Sequence, residues 1–177
     1  MNNNTEKRKV TLTFYRKELL YDIKNIAWVA SDVIGNEERL HYKHQLSDIG
    51  EEGNIDQVTR IMSLAIGECK VVLSRYIDDT ISDNDVLDNS LTEVSQFNFI
   101  MSVPATMKKP VLEHIRNLIH QYVVYSVLVN WMGVIGPEDG NPKSIENWIA
   151  MSNDAMDGLK SNSFIRTGNY RIKQTPF

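Results

Sequence analysis

Residues 54–76 read NIDQVTRIMSLAIGECKVVLSRY, and their spacing decides the fold class. Ile55, Val58, Met62, Ala65, Cys69, Val72 and Tyr76 recur every three or four positions, the period of an α-helix with one buried side. Ile61, Ile66 and Leu73 widen that stripe. Asn54 stands where an N-cap belongs and Gln57 follows three residues later, so the spacing predicts a capping box.

The helical period recurs on both sides of this stretch. Across 18–34, Leu19, Ile23, Ile26, Ala30 and Val33 mark one face, Leu20 and Ala27 broaden it, and Gly35-Asn36 ends the helix. Pro110 suits the first turn of a third helix, where its missing N–H is no loss. Val111, Ile115, Leu118, Tyr122, Ser126 and Val129 are its expected inner side. Ile119, Val123, Val127 and Trp131 make it apolar nearly all round, as a central helix would be. A turn cluster at 136–142 leads to a fourth helix capped by Ser144, with Ile145, Trp148, Ile149, Ala155, Met156 and Leu159 facing inward.

Two short stretches switch to a period of two. Val10, Leu12 and Phe14 alternate with Thr11 and Thr13, and Phe97, Phe99, Met101 and Val103 alternate with Gln96, Asn98 and Ser102 until Pro104. Residues 37–53 are polar, contain Gly50 and Gly53, and read as a loop with one helical turn. The expected fold is therefore α+β, mainly α: about a four-helix bundle with two or three short strands and extended terminal arms. The expected division is a basic N-terminal arm or strand over 1–17, a helical domain over 18–160 and a basic C-terminal arm over 161–177.

At 177 residues the chain suits one domain, able to bury roughly 70% of the surface its unfolded form exposes. Cys69 is the only cysteine, so no disulfide forms within the chain, in keeping with a reducing compartment or a particle assembled inside a cell. The N-terminus has Lys7, Arg8 and Lys9 but no apolar core behind them, unlike a secretory signal. The most apolar run, 122–135, would extend only about 21 Å as a helix, short of the roughly 30 Å hydrocarbon layer. A soluble protein with no membrane partner is expected.

Net charge is −4 but unevenly spread: residues 1–17 sum to +4, 160–177 to +4 and 18–159 to −12. Basic ends on an acidic body suit head-to-tail contact between identical subunits, or contact with nucleic acid, and solvated termini would look the same. The 78–93 linker holds Asp78, Asp79, Asp83, Asp85, Asp88 and Glu93 without a basic residue. It is a candidate counter-charge for Arg166, Arg171 and Lys173 of the tail.

Few groupings suggest chemistry. His41, His44 and Asp48 would share one face of a helix, as metal ligands do, but the segment is flanked by glycine, lacks a fourth ligand and is not HExxH. It is read as a surface loop, with a small metal-dependent enzyme as the alternative. Asp83-Asn84-Asp85 resembles the opening of a calcium loop, yet Asp88 and Val94 stand where glycine and glutamate are required. Cys69 lies on an apolar stripe, which suits a core residue and not a thiolate. His114 and His120, six apart, point to different sides of their helix. No GxSxG, GxGxxG or GxxxxGK[ST] pattern occurs, so no catalytic residue, cofactor or metal ligand is assigned. The candidate interaction arm is the tail, with Phe164, Arg166, Tyr170, Arg171, Ile172, Lys173 and Phe177. Basic residues among aromatics can also hold phosphates and stack bases, so a nucleic-acid-binding regulatory module is the third reading, weakened by a pI near 5.6.

Several stretches together resemble an uncharacterised family encoded among the virion genes of tailed phages and prophages of Bacteroidetes. They are Leu19-Leu20-Tyr21-Asp22-Ile23, His44-Gln45-Leu46-Ser47-Asp48-Ile49-Gly50 and Gly53-Asn54-Ile55-Asp56-Gln57-Val58-Thr59-Arg60. Ala65-Ile66-Gly67-Glu68-Cys69, Asn130-Trp131-Met132 and the terminal Thr175-Pro176-Phe177 complete the set. The likeness runs in order over most of the chain, and no single motif in it is specific. Tyr21, Asp22, Asp48 and Arg60 look like shared polar positions, with no role to carry over. The resemblance implies a structural virion protein, a head–tail connector or ring subunit joining portal and tail. Its partners would be copies of itself in a ring and the portal or tail proteins, with incidental DNA contact at the basic ends. Its place would be the virion, assembled in the host cytoplasm.

Overall fold

The computed structural model describes residues 6–32, 44, 46–78, 94–133 and 142–163. In chain order these form strand β1 (Lys7–Tyr15), helix α1 (Arg16–Asp32), helix α2 (Ile55–Val72), strand β2 (Gln96–Pro104), helix α3 (Lys109–Gly133) and helix α4 (Pro142–Ser163). The protein is mainly helical, with a small two-stranded antiparallel sheet.

The strands pair along their whole length, from Lys7 opposite Pro104 to Tyr15 opposite Gln96. Alternation sorts their side chains: Leu12, Phe14, Phe97, Phe99, Met101 and Val103 are buried on one face. The Phe14 and Phe99 rings meet edge-on, 5.5 Å apart and inclined by 69°. The segment expected as an arm or strand is a strand of the chain's own sheet, longer than Val10–Phe14 because exposed Lys7, Arg8 and Lys9 also hold the ladder. Ile77 bridges Met101 on the far side of β2. There the Asp78 N–H donates to the Ile100 carbonyl at 2.9 Å and the Ser102 N–H to the Tyr76 carbonyl at 2.7 Å.

β1 runs straight into α1, and the Arg16 N–H donates to the Ser95 carbonyl at 3.0 Å, tying the corner to the start of β2. α1 buries Leu19, Ile23 and Ala27. α2 buries Val58, Met62, Ala65, Ile66 and Cys69, the stripe its period predicts. α3 is central: it packs on α4, α2 and α1. Its four-residue ladder Ile115, Ile119, Val123 and Val127 is wholly buried. Each such side chain contributes roughly 1.5–3 kcal/mol of hydrophobic stabilisation.

Several sequence expectations are corrected. On α3 the inner side is turned toward Ile119, Val123, Val127 and Trp131, while Tyr122, Ser126 and Val129 are only half-buried. A helix apolar on all sides carries no periodic signal to fix its rotation. Asn54 does not cap α2: its side chain makes no cap bond, and its Nδ2 donates to the Asp48 carbonyl at 2.8 Å. That bond holds a short helical turn at 46–48, whose Leu46, with Ile49 after it, is fully buried. The polar-looking stretch therefore carries two core residues. Ser144 lies inside α4, which begins at Pro142, and Ile149 is exposed on it. α4 also runs to Ser163, past the expected boundary at 160. The expected end of the first helix at 33–36, the acidic residues 79–93 and the turn cluster at 136–141 lie outside the described residues.

Candidate functional site

The candidate interaction arm, Phe164, Arg166, Tyr170, Arg171, Ile172, Lys173 and Phe177, lies outside the described residues, as do His41 and Asp83-Asn84-Asp85. His44 is exposed and Asp48 half-buried on the short turn, where the Ser47 hydroxyl donates to the Asp48 carboxylate at 3.3 Å. Among the described residues, no three His, Cys, Asp or Glu side chains are grouped to hold a metal. Cys69 is fully buried, and burial pushes its thiol up to about 12, with the Glu68 charge adding to the shift. It is a thiol at neutral pH, not a nucleophile.

Two polar constellations cross between helices, and both escaped the sequence reading because their members are far apart in the chain. The first joins α1 to α3, where His120 Nε2 lies 2.7 Å from Asp22 Oδ2. Both side chains are at least a third exposed. A hollow of about 300 Å³ adjoins His120, edged by Thr13, Tyr15, Glu18, Arg116 and Asn117. The carboxylate orients the imidazole, but no serine or cysteine lines the hollow. The pair is a tie between helices, with Arg116 engaged by neighbouring Asn117 Oδ1 at 3.2 Å.

The second joins α2 to α3, where the Tyr122 hydroxyl donates to the Glu68 carboxylate. Burial, and then that carboxylate, push the Tyr122 hydroxyl above its ordinary range, so it stays protonated and donating. The bond stands in an open groove of about 640 Å³ between α2, α3 and α4. Leu64, Gly67, Val71, Val72 and Met156 give it apolar walls, and Lys160 stands at its α4 side. Leu64 is 61% and Val71 73% exposed, a strongly apolar lining for an open surface.

A third feature is the outer face of α1. Tyr21, Trp28 and Val29 are 66%, 63% and 56% exposed. At 100° per residue Tyr21 and Trp28 share a line along the helix with Lys17. Tyr15, at the corner just before α1, is also largely exposed. The signal was present in the sequence, since these residues fall opposite the Leu19–Ile23–Ala27 stripe.

The open apolar surfaces lie on separate elements, and the two polar pairs tie helices together. No protein-family model, curated protein or solved structure matches this chain.

Proposed function

We propose that this chain is a structural virion protein of a tailed phage, a ring or connector subunit that joins portal and tail through protein–protein contact. The observation that carries the reading is the exposed Tyr21–Trp28–Val29 face of α1. Aromatic side chains are enriched at the centres of protein interfaces, where covering them removes a large apolar area from water. The sequence resemblance to a virion family supplies the particle context, and the charge distribution supports a second copy as one neighbour. Lys17 and Lys24 flank the α1 aromatics, while residues 18–159 sum to −12, so a basic-edged face of one copy suits the acidic body of the next. A head-to-tail contact of this kind joins unlike surfaces, and it generates a ring where its rotation closes.

Native mass spectrometry of the purified chain, beside its Trp28→Glu variant, tests the contact. A closed oligomer that the variant loses, at unchanged helical circular dichroism, supports the reading. An oligomer of the same mass in the variant removes α1 from the interface.

A further inference from the structure

Hydrogen bonds at both ends of the sheet fix the phase of its ladder. The Ala105 N–H donates to the Glu6 carbonyl at 2.8 Å, and the Arg16 N–H to the Ser95 carbonyl at 3.0 Å. Facing residues of antiparallel strands alternate between bonded and unbonded pairs. In the observed register, even-numbered residues of β1 therefore turn their N–H and C=O groups to β2. Those of Lys7, Lys9, Thr11 and Thr13 turn away from it. The far edge of β2 is taken by Tyr76 and Asp78. Among the described residues, nothing pairs with the outer edge of β1. An open edge of this length is a template for another strand.

The charges of β1 decide which strand fits. Lys7, Arg8 and Lys9 guard one end, and residues 10–15 carry no charge. A parallel copy of β1 would set three cations against three. An antiparallel copy centred on Thr11 sets Lys7 against Tyr15, Arg8 against Phe14 and Lys9 against Thr13, so no cation faces a cation. It also keeps even residues opposite even ones, which puts Val10, Leu12 and Phe14 of both copies on one face. Val10 is only half-buried in the single chain, and Leu12 of the second copy would cover it. Arg8 is exposed, and beside Phe14 of the other copy it meets the hollow that Glu18 edges. Arg116 on the same hollow already bonds Asn117 at 3.2 Å.

We propose that two copies of this chain pair through the outer edges of β1, antiparallel about Thr11, making a four-stranded sheet in the order β2–β1–β1–β2. The contact is isologous, the same patch on both copies, and backbone bonds supply its affinity. It is separate from the exposed α1 face and does not rest on the virion reading.

Cross-linking reads the register. At a bonded pair the facing Cα atoms lie about 5.5 Å apart, inside the roughly 4.4–6.8 Å that a disulfide spans. Thr11→Cys should therefore give a disulfide-linked dimer on mild oxidation. Thr13→Cys should not, because an offset of four residues sets its two copies about 14 Å apart. The unsubstituted chain, whose Cys69 is buried, is the control and should stay unlinked. Thr13→Cys linking as readily as Thr11→Cys, or neither linking, would overturn the proposal. Native mass spectrometry supplies a second readout. Thr11→Pro removes an outward N–H, a change that edge strands tolerate. It should halve the mass of the natural assembly at unchanged helical circular dichroism. Should proline unfold the chain, Thr11→Lys repeats the measurement by setting cation against cation at the axis. An unchanged mass in the folded variant, or a natural chain that is monomeric, would overturn the pairing.

Discussion

Lys9 Nζ lies 2.8 Å from Asp78 Oδ2, so the basic N-terminal strand and the first acid of the 78–93 stretch are paired within one chain. The pair bonds β1 to the segment after α2, across β2. Part of the charge complementarity expected between subunits is therefore spent inside the fold.

That pair predicts a pH dependence. Lys9 holds the Asp78 carboxyl below its ordinary value, a stabilisation present above the unfolded pKa and lost as pH falls through the depressed one. Asp78 raises Lys9 above 10.5, a stabilisation present below that value and lost as pH rises through the raised one. The difference in thermal midpoint between the natural chain and Asp78→Asn should thus be positive at neutral pH. It should vanish at both extremes and shrink with salt, because Lys9 is largely exposed. A difference that persists in strong acid would contradict the pairing.

Asn54 separates two readings of the α2 start. As a cap, Asn54→Asp would be neutral, since either residue accepts from the first amides. In the observed geometry the side chain donates to the Asp48 carbonyl, and an aspartate cannot. Asn54→Asp should therefore cost about 1 kcal/mol in denaturant unfolding by loss of that bond. An equally stable variant would restore the cap.

Asn54 also shows what the sequence made legible. The periods of α2 and β2 were plain because apolar and polar residues segregate there, and the structure buries most of the residues those periods mark, leaving Ile55, Ile61 and Val72 half-buried. The rotation of α3 was not legible, because Val129 is as apolar as Val123 and Val127, and Tyr122 presents a large apolar ring beside them. Leu46 and Ile49 were hidden by polar neighbours and glycines, and the Asn54 bond and the surrounding core hold that turn inward. Of the candidate site, the exposed α1 aromatics could be read from helical spacing. The Glu68–Tyr122 and Asp22–His120 pairs could not, since 54 and 98 residues separate their members.

Two helix glycines should respond differently to alanine. At Gly67 a Cβ meets open space, so Gly67→Ala should stabilise α2 by about 0.5–1 kcal/mol through backbone entropy. At Gly158 a Cβ would lie 3.1 and 3.3 Å from the Leu118 methyls, and that crowding offsets the same gain. Gly158→Val, with two further methyls against α3, should cost about 1–3 kcal/mol by overpacking. Equal effects of alanine at both positions would contradict the α3–α4 contact.

Cys69→Ser should destabilise the fold by about 1–3 kcal/mol, because it buries a hydroxyl among apolar side chains with no partner designed for it. Labelling of native Cys69 by a thiol reagent should wait on opening of the fold, since the thiol is buried and protonated. Labelling as fast as in denaturant would remove it from the core.

The central claim is that the chain is a built-in part of a phage particle. Quantitative mass spectrometry of purified particles, from a host in which this gene is expressed with its neighbours, measures that directly. The account predicts several identical copies in every particle, retained through density-gradient purification. Particles of full infectivity that contain none of it would contradict the account.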